Sequence, residues 1–134
     1  MLQNKIVIRY HDGRIVKGYT GDFLPTKPVF HLTPYDAPAG ERALAVQMAD
    51  LKAVFFVKDL AGNSEHKENL EFQPGKPVVG RKIKVTFKDG ETLVGSAPTY
   101  SPEMPGFFVF PADTRSNTLK VFALAGSVKS VRWL

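Results

Sequence analysis

The stretch IVIRYHDGRIVKG at residues 6–18 returns as IKVTFKDGETLVG at residues 83–95, and this repeat decides the fold. A shift of 77 residues lays the chain over itself without an insertion from position 5 to position 57, and 12 of these 53 positions are identical. A repeat of this kind indicates an architecture of two similar units. The sequence therefore predicts a first repeat over residues 1–57, a connector over 58–80 and a second repeat over 81–134.

Each quoted stretch has the pattern of a strand, a tight turn and a second strand. Apolar and polar residues alternate before Asp12-Gly13 and before Asp89-Gly90, which is typical of half-buried strands joined by a hairpin turn. Gly18 and Gly95 follow inside the second strand, where glycine marks a bend or a close backbone approach. Further strands are predicted at 28–33, 43–48 and 52–57 in the first repeat and at 105–110, 119–125 and 129–134 in the second. The prediction is an all-β protein of two tandem five-stranded barrels related by internal duplication.

Two features of the repeats resemble known small barrels. The motif apolar-x-apolar-x-apolar-x-Asp-Gly-x-x-x-x-Gly, at 6–18 and 83–95, is similar to the first motif of Sm-like RNA-binding proteins. The three residues at 49–51 and at 126–128 suit a single 3₁₀ turn between the last two strands, as in SH3-like barrels. The resemblance implies SH3-like or Sm-like barrels. The Asp-x-x-Met-Asn loop that the RNA function of Sm-like proteins requires is absent, since residues 22–28 read DFLPTKP.

A second resemblance spans nearly the whole chain. The run LKAVFFVKD at 51–59 with Gly62-Asn63, and the run GFFVFPAD at 106–113 with Arg115-Ser-Asn117, resemble an uncharacterised bacterial family of unknown function. This resemblance implies no activity. The polar stretch of the connector that follows Gly62-Asn63 could form a short helix.

Composition narrows the class of protein further. Hydrophobic residues make up 43% of the chain and charged residues 23%, which is typical of a globular protein. A repeat of this size buries only roughly 60% of its unfolded surface, so we expect the two repeats to share an interface. The chain has no cysteine, which excludes disulfides and thiolate metal sites, and it has no apolar segment long enough for a signal peptide or membrane helix. We expect a cytoplasmic protein with no membrane contact.

The chain shows no pattern typical of an enzyme. His11, His31 and His66 have no metal-ligand spacing, and neither a Gly-x-Ser-x-Gly elbow nor a glycine-rich phosphate loop is present. The duplicated Asp12 and Asp89 are explained by their turns. We therefore predict a non-enzymatic protein with no cofactor and no metal.

Differences between the repeats indicate where surfaces diverged. Val7 and Phe55 face outward on the first and last strands of the first repeat, and their equivalents in the second are Lys84 and Arg132. An apolar outer patch should be covered. The predicted cover is the sister repeat or the connector, with a second copy of the chain as a less favoured alternative; the predicted interface residues are Val7, Phe55, Leu60, Leu70 and Phe72.

The basic excess lies mainly in the second repeat, with 8 Lys and Arg against 4 Asp and Glu. The candidate basic face comprises Arg81, Lys82, Lys84, Lys88, Lys129 and Arg132. It can be read as a solvated strand face whose lysines discourage edge pairing, or as a surface that follows the phosphates of nucleic acid.

Three functions remain open on this basis. The first is a protein-interaction or scaffold module, monomeric or homodimeric, that contacts a protein partner through loops such as 20–28 and 36–42. The second is weak RNA binding by the basic face of the second repeat. The third is small-molecule or nucleotide sensing between the barrels.

Overall fold

The computed structural model describes residues 3–38, 40–62, 65–75 and 77–134. Within these ranges the protein is all-β, with ten strands and two single 3₁₀ turns. The strands are β1 (Asn4–Tyr10), β2 (Ile15–Thr20), β3 (Val29–Pro34), β4 (Leu44–Gln47), β5 (Leu51–Val57), β6 (Arg81–Phe87), β7 (Thr92–Ala97), β8 (Gly106–Pro111), β9 (Thr118–Leu124) and β10 (Val128–Trp133). The 3₁₀ turns are η1 (Met48–Asp50) and η2 (Ala125–Ser127).

The elements fall into two sets whose positions in the sequence correspond. Asn4 begins β1 and Arg81 begins β6, 77 residues later, and the same offset separates the first residues of η1 and η2 and of β5 and β10. The hairpin turns also match, since Gly13 has φ of 93° and Gly90 has φ of 92°. This left-handed conformation is readily adopted by glycine, which explains the Asp-Gly pair in each turn.

All ten strands belong to one antiparallel sheet in the order β10-β6-β7-β8-β9-β5-β1-β2-β3-β4. Within each set the order is fifth, first, second, third, fourth strand. The sheet is not closed. This differs from the two separate five-stranded barrels expected from the sequence, because β5 pairs with β9 and makes the two sets continuous.

The two central strands supply side chains to two different cores. Val54 and Phe56 of β5 lie in one buried cluster, with Phe122 of β9. Ala53 of β5 lies in a second cluster with Val121 of β9, and Phe55 packs against that cluster. Period-two alternation explains this division, since successive side chains of a strand point to opposite faces. The strand pair β5–β9 therefore lies between the cores and is covered on both faces.

Glycine within β2 and β7 permits a close crossing of strands. A Cβ atom at Gly18 would collide with the carbonyl oxygen of Thr33 on β3, and one at Gly95 would collide with the carbonyl oxygen of Phe110 on β8. The close backbone approach expected from the sequence is thus present at both positions.

The connector contains no helix or strand in its described residues, 58–62, 65–75 and 77–80, so the short helix considered from the sequence is wrong for that part. Asn63, which belongs to one of the resembling motifs, lies outside the described residues. Across the described part of the chain, no helix has the length and hydropathy needed to cross a membrane.

We predict that Gly18→Ala lowers the free energy of unfolding by about 1–3 kcal/mol, because the added methyl group forces β2 away from β3. Urea denaturation measures the change. Gly126→Ala is the matched control, since a Cβ atom there meets no atom within 4 Å. Its effect should stay within about 0.5 kcal/mol. Equal losses in both variants would contradict the steric explanation.

Candidate interaction groove

The two outward apolar residues singled out in the first repeat lie side by side at the junction of the two strand sets. Val7 is paired with Phe55 across β1 and β5, and Phe55 is paired with Val121 across β5 and β9. Val7 and Phe55 are both half-buried. Phe55 packs against the cluster of the second set, which covers part of its ring.

These residues line an open groove of about 460 Å³, which we call the junction groove. Its walls combine apolar side chains of the first set with apolar side chains of the second. They include Val7, Phe55 and Val57 from the first set and Leu93, Val94 and Val121 from the second. The volume falls within the usual range of ligand-binding clefts.

The connector contributes a further wall. Leu60 and Leu70 line the groove, and the carbonyl oxygen of Leu60 accepts a hydrogen bond of 2.9 Å from the ammonium group of Lys17. Phe72 lies elsewhere, with its ring centre 4.8 Å from the Nζ atom of Lys82. Four of the five residues proposed as an interface thus share one groove, and the fifth covers part of the basic face.

A network of ion pairs forms the charged rim of the groove. Arg9 Nη1 lies 3.2 Å from Glu91 Oε2, and its guanidinium group lies over the ring of Phe55. The Nζ atom of Lys52 lies 2.7 Å from a carboxylate oxygen of Asp89 and 2.7 Å from one of Glu91. The hydrogen bond from Lys52 lowers the pKa of Asp89 below its usual value. Because Lys52 is almost buried, this network ties β5 to the β6–β7 turn.

The connector is fastened at Asp113, in an arrangement that we call the connector clasp. The almost buried carboxylate of Asp113 accepts hydrogen bonds from the backbone N–H groups of Asn69 and Arg115, and it contacts His66 Nε2 at 2.7 Å. Burial favours a higher pKa for Asp113, but these hydrogen bonds outweigh it and hold the pKa below its usual value. The clasp holds the segment from His66 to Asn69 beside the groove.

The clasp also brings together groups that could ligate a metal. One ligand atom each of His66, Glu68 and Asp113 lies within 4.8 Å of the others. The carboxylate of Asp113 is already occupied by its three hydrogen-bonded partners, which explains the cluster without an ion. Sequence analysis missed this group because His66 and Asp113 are far apart along the chain, and no spacing motif relates them.

The candidate basic residues do not form one surface. Lys82, Lys84 and Arg132 share the outer face of β6 and β10, where Lys84 is directly opposite Arg132. Arg81 lies instead over the ring of Trp133, 4.2 Å from its centre. Lys88 directly follows β6, and Lys129 is the second residue of β10. Nucleic-acid contact by these residues stays a prediction.

A comparison with protein-family models matches residues 2–134 to a family of unknown function, DUF6982. The chain belongs to this family. The resemblance to a family of unknown function, expected from the sequence, is thus confirmed over almost the whole chain. Comparisons with curated proteins and with solved structures find no match.

We predict that Asp113→Asn loosens the connector, because an amide has one fewer acceptor oxygen and no charge. Amide hydrogen exchange of the connector should accelerate roughly tenfold, since hydrogen bonds to a charged group contribute about 1.5–3 kcal/mol each. The wild-type clasp should weaken likewise in acid. A carboxyl group with a lowered pKa stabilises the fold above its unfolded pKa, and this contribution is lost as pH falls through the lowered folded value.

Asp36→Asn is the control, because Asp36 is the equivalent residue of the first repeat and is exposed. It should leave exchange of the connector unchanged. Acceleration of the same size in both variants would show that the connector is not held by Asp113.

Proposed function

We propose that this protein is a non-enzymatic interaction module that binds an apolar segment of a protein partner in the junction groove. The observation that supports this most is the groove itself, with apolar walls from both strand sets and from the connector. Such a groove can take up one or two apolar side chains of an extended peptide while the rest of the peptide lies on the rim.

The rim favours a protein ligand over a nucleotide. Ile15 and Leu70 line the groove and are exposed, so they extend an apolar surface beyond its mouth. The cations that line the groove already have partners: Arg9 is paired with the carboxylate of Glu91, and Lys17 donates to the backbone carbonyl of Leu60. A phosphate group would have to displace one of these partners to reach either cation.

The wider proposal places this module in a bacterial cytoplasm and treats each strand set as a small Sm-like or SH3-like barrel. The strand order within each set and the separate apolar cluster of each set support this assignment. RNA binding in the Sm manner is not favoured, because the Asp-x-x-Met-Asn loop is absent; Arg81 and Lys82 also lie over the rings of Trp133 and Phe72.

We expect peptides selected from a random displayed library on the wild-type protein to contain a large apolar anchor. Leu70→Asp should weaken their binding by about tenfold or more, because the peptide would bury a new charge in the groove. Leu70 is 51% exposed, so the variant should remain folded. Fluorescence anisotropy with a labelled selected peptide measures the affinity.

Leu24→Asp provides the matched control, since Leu24 is 47% exposed and does not line the groove. Its affinity for the peptide should equal that of the wild type. Equal binding by the two variants would place the peptide elsewhere. If the groove binds the apolar dye ANS but no peptide is selected, the ligand would be a small apolar molecule and not a protein partner.

A further inference from the structure

The outermost strands of the sheet are the equivalents of the two strands that pair at the junction, but in the described chain they have no partner on their outer side. At the junction, β5 of the first set pairs with β9 of the second. The equivalent of β5 is β10 and the equivalent of β9 is β4, and these are the outermost strands. In the described chain each is paired on one side only, so β10 and β4 present free edges of the two kinds that join at the junction.

The exposed apolar residues at these edges occupy positions that are buried at the junction. Phe56 and Val57 of β5 are 5% and 6% exposed, whereas the equivalent Trp133 and Leu134 are 37% and 57% exposed. On the other side of the junction, Val121 of β9 is fully buried, whereas its equivalent Leu44 on β4 is 48% exposed. Unpaired apolar edges of this kind invite pairing with another chain.

We propose that a second copy of this chain pairs its β4 with β10 of the first, antiparallel and in the register of the β5–β9 junction. The register at the junction places Phe55 opposite Val121. Applied to the equivalent residues 77 positions away, this register places Arg132 of the first copy opposite Leu44 of the second copy. The contact is head-to-tail, so each copy retains a free edge for the next one, and the chain extends into a ring or a filament.

In this register two pairs of opposite charges and one pair of like charges face each other across the edges, the like pair being Lys129 and Arg14, the equivalents of Lys52 and Glu91. At the junction, Ser127 Oγ lies 3.4 Å from His11 Nδ1. Their equivalents across the new contact are Asp50 of the second copy and Lys88 of the first, which carry opposite charges. The contact between Ser127 and His11 within the chain therefore corresponds to an ion pair between Asp50 and Lys88 of neighbouring copies.

A second ion pair has a direct precedent in the junction. Lys52 of the first set binds Asp89 in the β6–β7 turn. The equivalent pair is Lys129 with Asp12 of the second copy. The carboxylate of each aspartate accepts a hydrogen bond from the backbone N–H two residues later. The second oxygen of Asp12 also lies 2.8 Å from Arg14 Nε, so Lys129 would share this carboxylate with Arg14.

Side-chain volumes are also complementary at the edges. At the junction, the ammonium group of Lys120 lies 4.9 Å from the centre of the Phe56 ring, and Phe56 and Lys120 are partners in register. Their equivalents are Trp133 and Ala43 of the second copy. A larger side chain on β10 thus meets a smaller one at the residue just before β4.

We expect Arg132→Cys and Leu44→Cys to form a disulfide between copies. Directly opposed residues of antiparallel strands have Cα atoms about 4.5–5.5 Å apart, which suits a disulfide, and the chain has no other cysteine. A mixture of the two single variants under mild oxidation should give a covalent dimer containing one of each. The protein with both substitutions should give a ladder of covalent oligomers. Denaturing electrophoresis without reductant, followed by mass spectrometry, identifies the linked residues.

Each single variant alone tests the alternative of a two-fold contact. Covalent dimers in Arg132→Cys alone or Leu44→Cys alone, at the yield of the mixture, would mean that like edges pair and would overturn the head-to-tail contact. Lys129→Cys mixed with Leu44→Cys is the register control. Lys129 lies three residues from Arg132, about 10 Å along the strand, so this pair should not cross-link. Equal cross-linking of both mixtures, or none in either, would overturn the proposal.

Charge reversal provides an independent test on the protein without cysteine. Lys88→Glu and Asp50→Lys should each weaken association by about fivefold, and the double variant should restore it, because the ion pair is re-formed with its charges exchanged. Sedimentation velocity over a range of protein concentrations measures the association. A wild-type protein that stays monomeric at all concentrations, or a double variant as weak as the single ones, would contradict the contact. Peptide binding in the junction groove is measured separately, so either proposal can fail alone.

Discussion

The pairing of β5 with β9 is the constraint on which the rest of the structure depends. Each of these strands is paired on both sides and covered on both faces, with alternate side chains assigned to two cores. Phe122, for example, belongs to the cluster of the first set although it lies on a strand of the second. A repeat of about fifty residues is marginal alone because it buries too little surface. Sharing two strands between two cores supplies burial that neither set has by itself.

This sharing also creates the candidate site. Residues of β1 and β5 in the first set and of β7 in the second line the junction groove together. Lys52 is almost buried beside the groove, where an unpaired charge would be costly, and its ammonium group is bound by two carboxylates. The connector then closes one wall and is held by Asp113. A groove made this way requires both repeats, which is why neither repeat shows it as a sequence motif.

The strands and their turns were predictable because they depend on local patterns: alternation, an Asp-Gly turn, and a glycine where strands cross. The strand pairing at the junction was not, since alternation indicates which face of a strand is buried and not which strand lies beside it. One signal was present in β5, whose sequence LKAVFFV is almost continuously apolar, as in strands buried on both faces. Its equivalent β10 reads VKSVRW and alternates. The contrast of Phe55 with Arg132 located the groove but could not reveal the clasp, which depends on distant residues.

The contrast between Phe55 and Arg132 also concerns the two equivalent contacts, β5 with β9 within the chain and β10 with β4 between copies. It explains why these contacts would use different side chains. Within one chain, the connector keeps β5 and β9 at high effective concentration, so their pairing needs no charge to guide it, and β5 itself is mostly apolar. Between separate chains, an edge that is equally apolar would bind many exposed strands. Charged residues at the rim, such as Lys88 on one edge and Asp50 on the other, restrict pairing to the complementary edge, since opposite charges favour correct encounters and like charges oppose wrong ones. A duplicated junction that must work once within the chain and again between chains is therefore expected to keep its register and diverge in its polar residues.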